Sequence, residues 1–255
     1  MSRLIEKLKQ TSQAKLPPMG FGRAQKAVKP KMMLIAVLNQ ADAAGAAQLV
    51  GEVDAILLKV EDETLLAEVL KKIAENMKDI PFGVLLRKNS GLKETAAIGF
   101  DFIAFPLESS IEIIEDEDIG RLLVIESAME KELLRTIGDM PLDAVLVGSE
   151  KAKQSHFTWR HFMIFRGIAA ISGKPLLLSI TTETGKDELQ LLWEAGVAGV
   201  VVETNVSAEI KKLNWIIDNL KPPLKKRKDK TSAILPLMRE EAAATIEEDI
   251  EEEED

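Results

Sequence analysis

Residues 175–203 read PLLLSITTETGKDELQLLWEAGVAGVVVE, and this stretch decides the fold. Two continuous apolar runs, Leu176–Ile180 and Val197–Glu203, flank an amphipathic segment, Asp187–Ala195. The runs do not alternate apolar with polar. Strands covered on both faces have that character, as in a parallel sheet packed under helices. Pro175 stands at a strand entrance, where a missing N–H is tolerated, and Gly196 where a helix end takes a left-handed residue. The stretch is therefore strand, helix, strand.

The same unit recurs along the chain. Its apolar runs are Met33–Leu38, Asp54–Val60, Phe82–Arg87, Phe100–Pro106, Arg121–Glu126, Leu142–Gly148, Leu176–Ile180 and Val197–Glu203. Their starts are 21, 28, 18, 21, 21, 34 and 21 residues apart. A strand with its crossover helix and turns needs roughly 20 residues or a little more. Eight such units predict an α/β fold, a compact closed (β/α)8 barrel of the TIM type. An open doubly wound sheet is the rival, and it wants a Gly-rich first turn. The first turn here is Asn39-Gln40-Ala41-Asp42, without G-x-G-x-x-G.

The barrel is expected over residues 33–220, after an N-terminal helix and connector (1–32) and before a charged C-terminal tail (221–255). Leu4, Ile5 and Leu8 share one face of a short helix over 2–13, expected to plug the barrel bottom. Helices are also expected over Asp62–Met77, Ser155–Ser172, Asp187–Ala195 and Ala208–Leu220, with one or two turns at most in Ser109–Ile119. Gly99, Pro81 and Pro141 punctuate further strand entrances. Residues 14–30 read as an irregular connector, and Thr245–Asp255 as disordered.

Composition narrows the chemistry. The chain has 255 residues and no cysteine, which excludes disulfides, thiol nucleophiles and Cys-ligated zinc or iron–sulfur centres. His156 and His161 are its only histidines, so a three-His metal site is impossible and no metal ligands are assigned. No cofactor motif is present, and the cofactor stays undefined. No run of about 18 apolar residues occurs, and the first ten residues carry charges throughout. No membrane span and a cytoplasmic location are expected.

Charge is unevenly placed. Residues 1–32 carry a net +7, 221–230 a net +5 and 239–255 a net −9, which leaves −12 on residues 33–220. That acidic body argues against nucleic acid as a partner. The block Lys225-Lys226-Arg227-Lys228 reads as a solvated linker offset by the acidic tail.

In a barrel of this type the chemistry sits at the carboxyl ends of the strands. Those ends offer Asn39, Gln40, Lys59, Glu61, Arg87, Lys88, Glu108, Glu126, Ser127, Ser149, Glu150, Lys151, Thr181, Thr182, Glu203, Thr204 and Asn205. Lys59 and Glu61 lie two apart and point the same way. With Glu126 they are the candidate catalytic groups, since a lysine in a low-dielectric mouth can act as a base or imine former. The structural reading of the same residues is a salt bridge closing the barrel top. Arg87, Thr181, Gly185, Lys186, Glu203 and Ser207 are the candidate ligand-binding set, the last five from the loops where barrels often hold phosphate. Glu183 and Glu203 would repel phosphate there, and helix capping explains the same loops. His156 could reach the mouth, whereas His161 falls on the apolar side of its helix.

Leu57-Leu58-Lys59-Val60-Glu61 resembles the E-x-R-x-D strand of type I dehydroquinase, and Val84-Leu85-Leu86-Arg87 its F-T-x-R strand. The likeness covers two units of eight and implies a barrel. It does not imply that family's mechanism, which uses a strand-five His and a strand-six imine-forming Lys. Residues 126–130 hold no His, 144–149 hold no Lys, and Leu57 replaces the first Glu of the pattern.

The helix of the sixth unit, Ser155–Ser172 (helix six), carries a second apolar face. Phe157, His161, Ile164, Phe165, Ile168 and Ile171 cluster on one side, and Trp159, Phe162, Met163 and Ala169 on the other, with Arg166. Trp, Phe, Met and Arg are enriched in interface cores, which singles out Trp159, Phe162, Met163 and Arg166. Those four residues are expected to mediate homodimerisation or partner docking, unless the termini cover them. Two functions thus stand open. One is an enzyme or binder of a small anionic metabolite at the barrel mouth. The other is a non-catalytic interaction barrel working through helix six and the charged tail.

Overall fold

The computed structural model describes residues 2–12, 31–39, 45–46, 48–59, 80–86, 99–110, 118–148, 156–204 and 206–223. Among them are α1 (Arg3–Ser12), β1 (Met33–Asn39), β2 (Ala55–Lys59), β3 (Phe82–Leu85), β4 (Phe102–Pro106), β5 (Gly120–Ile125), α2 (Lys131–Asp139), β6 (Ala144–Val147), α3 (Trp159–Ser172), β7 (Leu176–Ile180), α4 (Lys186–Ala195), β8 (Val197–Glu203) and α5 (Ser207–Asp218). The eight strands pair in chain order, all parallel, and β8 closes onto β1. The expected helix over Asp62–Met77, the connector 14–30 and the tail from Leu224 lie outside the described residues.

Alternate side chains divide the strands between two cores, as the pleat requires. Met33, Ile35, Val37, Ala55, Leu57, Phe102, Ala104, Leu122, Ala144, Leu146, Leu177 and Val201 fill the barrel. Their neighbours, such as Leu34, Ile56, Ile103, Val145, Leu178 and Val200, face outward under the helices. Both faces are therefore apolar, which is why the runs are continuous. Gly83 faces inward, where a Cβ would collide with the Phe102 ring.

The N-terminal helix plugs the barrel bottom. Leu4, Ile5 and Leu8 are fully buried in the inner core. A Cβ built at Gly120 would lie 2.7 Å from Ser2 Oγ and 2.8 Å from Ile5 Cγ1, so this glycine admits the plug. Asp101 holds the helix start from across the barrel. Its carboxylate accepts Ser2 Oγ–H at 2.8 Å, the Arg3 N–H at 2.7 Å and the Leu4 N–H at 2.9 Å. These are otherwise orphan donors at the positive end of the helix dipole. Lys7 Nζ donates to the Asp54 carbonyl at 3.3 Å.

Asp54, Asp101 and Asp143 each stand immediately before a strand. Asp54 accepts the Leu34 N–H at 2.9 Å, and Asp143 the Arg121 N–H at 3.0 Å, tying each strand start to its neighbour. Asp101 spends its carboxylate on α1 instead.

Two element starts differ from expectation. Helix α3 begins at Trp159 rather than Ser155, because Thr158 caps it. The Thr158 side chain accepts the His161 N–H at 3.4 Å, and the Thr158 N–H donates to His161 Nδ1 at 3.2 Å. This is a capping box with His in the place of Glu. Helix α5 begins at Ser207 rather than at the expected Ala208, the cap position being Val206. Gly99 and Gly196 have the left-handed φ values expected of them, 83° and 103°.

Candidate functional site at the barrel mouth

Closure brings the carboxyl ends of the strands to one rim. Continuing the inward alternation, β1 delivers Asn39, β2 Lys59, β7 Ser179 and then Thr181, and β8 Glu203. Asn39 and Lys59 are register partners. Lys59 reaches across β1 to Glu203, with Nζ 3.1 Å from Oε1. Apolar Val37, Leu57, Leu146 and Val201 form the floor beneath. The pair is water-accessible, with one third of the Lys59 side chain and over half of Glu203 exposed. Glu126 follows β5 and is exposed. Glu61 and Arg87, as well as Gln40, Lys88, Glu150, Lys151 and Asn205, lie outside the described residues.

At the seventh and eighth loops a carboxylate from the first turn of the following helix turns back onto the loop, onto an amide at the seventh and a hydroxyl at the eighth. The Gly185 N–H donates to Glu188 Oε2 at 3.0 Å, while Glu188 Oε1 accepts the Phe157 N–H at 3.0 Å. Thr184 is buried, and both its N–H and its hydroxyl donate to the Thr181 carbonyl. Lys186 is exposed at the start of α4. On the eighth loop, Thr204 Oγ1 donates to Glu209 Oε2 at 2.8 Å and accepts the Val206 N–H. Glu188 therefore holds the place at the start of α4 that an anion would take. The signal was present in sequence as G-x-x-E over 185–188.

His156 is exposed, with Nδ1 3.7 Å from Glu188 Oε1, and His161 serves the α3 cap. Among the described residues no group of three His, Asp or Glu could hold a metal ion. No helix among them is long and apolar enough to cross a membrane. A cavity of about 510 Å³ lies at the opposite end of the barrel, where Lys9, Leu142, Asp143, Ala169, Lys174 and Pro175 line the gap beside α1. That end lies away from the strand carboxyl ends, where barrels of this type carry their chemistry.

No protein-family model matches the chain, and no curated protein does. Solved structures do match it in shape. The 3-keto-L-gulonate-6-phosphate decarboxylase of Vibrio cholerae superposes with a TM-score of 0.60 at 14% identity, covering 75% of this chain and 100% of that one. The tryptophan synthase α-subunit of Pyrococcus furiosus superposes with a TM-score of 0.57 at 15% identity, covering 74% and 98%. Likeness at such identity speaks for architecture alone, and with the closed ring of eight parallel strands it gives the chain the (β/α)8 fold of the TIM type.

Proposed function

We propose that this barrel takes a small anionic metabolite at its mouth, with Lys59 as the anion contact and Glu203 as the paired acid–base group. The observation that carries the reading is the Lys59–Glu203 pair at 3.1 Å, set on inward-facing strand ends above an apolar floor. An exposed ion pair contributes about 0–1 kcal/mol, so an incoming carboxylate or phosphate can share Lys59 at little cost. The seventh-loop amides offer less, because Glu188 already accepts the Gly185 N–H at the start of α4. Glu61, Glu126 and Arg87 complete the proposed set, with Thr181, Gly185, Lys186 and Ser207 at its edge. The decarboxylase neighbour is named for a phosphorylated anion, which agrees with this substrate class.

A thermal-shift screen of carboxylated and phosphorylated metabolites tests the proposal. A ligand present at about 100 times its Kd stabilises the fold by ~2.7 kcal/mol, an easily read rise in Tm. That rise is expected in the wild type, lost in Lys59→Met and retained in Lys174→Met at the far end of the barrel. Borohydride trapping with carbonyl metabolites separates an imine-forming Lys59 from a binding one. If no metabolite shifts the Tm, the mouth is not a ligand site.

A second reading has its own observation. Trp159 and Met163 on α3 are 73% and 71% exposed, although the same helix already buries Phe165 and Ile168. A protein-binding face accounts for this, whether for a second copy of the chain or for another protein. Light scattering of Trp159→Asp with Phe162→Glu tests it for self-association. A lower mass than wild type is the outcome of a dimer through this face.

A further inference from the structure

We infer that the outward face of α3 docks a short acidic segment bearing apolar side chains, contributed by a partner protein. The inference rests on the reading of α3 as a binding face and names what that face recognises. Three observations carry it.

The first is charge. The chain holds 42 Asp and Glu against 33 Lys and Arg, yet α3, WRHFMIFRGIAAIS, contains no carboxylate. The helices on either side do: Glu132 and Asp139 lie on α2, and Asp187, Glu188 and Glu194 on α4. Arg160 and Arg166 are both exposed, and among the described residues neither stands within ion-pair distance of a carboxylate. Arg166 Nη1 donates to the Glu194 carbonyl at 3.5 Å, while the Glu194 carboxylate takes Gln190 Nε2.

The second is placement. Trp159, Arg160, Met163, Arg166 and Ala170 are the exposed positions within the helix, and they form one stripe along it. The apolar residues alternate with the cations along that stripe. An incoming segment must therefore offer both apolar side chains and anions at similar spacing. The third is rigidity. The Trp159 and Phe162 rings pack edge to face at 5.7 Å, and the Thr158–His161 capping box fixes the first turn beneath them. A pre-ordered aromatic pair loses little freedom on binding.

A second copy fits less well. An isologous contact sets α3 against α3, and that helix brings no carboxylate to either arginine. Nucleic acid also fits less well. Two arginines neutralise few phosphates, and the exposed apolar side chains between them have no counterpart in a sugar–phosphate backbone.

The test uses the full-length protein and short fluorescein-labelled amphipathic helices, read by fluorescence anisotropy. One probe is built of Leu and Glu, a second of Leu and Lys, a third of Ser and Glu, and a fourth is oligothymidylate. The Leu/Glu helix is expected to bind at least about tenfold more tightly than the other three, and more weakly as NaCl rises. The exposed pair Arg160→Glu with Arg166→Glu inverts the Leu/Glu to Leu/Lys preference, and Trp159→Ser with Met163→Ser abolishes binding. Circular dichroism confirms that both variants remain folded. Equal binding of the acidic and basic helices, or preferred binding of oligothymidylate, overturns the inference. A wild-type dimer whose mass is halved by Trp159→Ser with Met163→Ser retains α3 as an interface but rejects the acidic partner. Binding of no probe, together with a monomer insensitive to those substitutions, rejects both.

Discussion

Asp101 shows how much one side chain can decide. It stands before β4 as Asp54 and Asp143 stand before β2 and β6, and sequence alone makes the three equivalent. Two of them tie a neighbouring strand, while Asp101 caps a helix nearly a hundred residues earlier. Hydrogen bonds to a charged group contribute about 1.5–3 kcal/mol together with their geometry. Asp101→Ala is therefore expected to lower the unfolding free energy by about 2 kcal/mol in urea titration. It should also raise hydrogen exchange at the Leu4 amide. Unchanged exchange there would show that α1 is held by its apolar face alone. The same scale explains why the mouth was only half legible. Lys59 and Glu203 were each visible as polar ends of apolar runs, but nothing local pairs them. The role of Glu188 at the start of α4 is hard to see in sequence, because an acidic side chain near a helix start looks like ordinary solvated charge.

At the scale of elements, α1 is worth more to the fold than its length suggests. An isolated helix of ten residues is marginal in water, so packing must hold it. Leu4, Ile5 and Leu8 supply that packing, and the amphipathic spacing announced it. Leu8→Ala is expected to cost about 3 kcal/mol, because a fully buried side chain leaves a cavity between the plug and the inner strands. Differential scanning calorimetry would register this as a clear fall in Tm, and a change within error would remove the plug from the core. Helix α3 depends on a smaller device. Thr158→Ala removes the side-chain half of the capping box and is expected to cost about 1 kcal/mol in chemical denaturation. Thr158→Ser should restore most of that loss. The expected start at Ser155 failed because apolar periodicity does not mark where a cap interrupts the helix. The T-x-x-H spacing over 158–161 was the available mark, with His in an unusual role.

For the molecule as a whole, closure of the ring is the event from which the proposed function follows. It sets residues 144 positions apart within hydrogen-bond distance at the mouth. The Lys59–Glu203 pair contributes little to holding the ring shut, because both partners meet solvent. Glu203→Gln is accordingly expected to change stability by less than about 1 kcal/mol in urea titration while weakening any mouth ligand that needs the carboxylate. A larger loss would identify the pair as a structural clasp rather than a binding group. The two hydrophobic cores, inner and outer, carry the stability, and they leave the rim free to vary.

The order of apolar runs determined, without any coordinates, that eight parallel strands separated by helices would form a barrel with a helix at its start. That information is local, since a strand covered on both faces must be apolar at successive positions. Only the tertiary structure decided which carboxylate holds α1, which glycine opens space for it, and which charges meet across β1. Those facts depend on distances between remote parts of the chain. They exist only once the sheet has curled far enough for β8 to bond to β1.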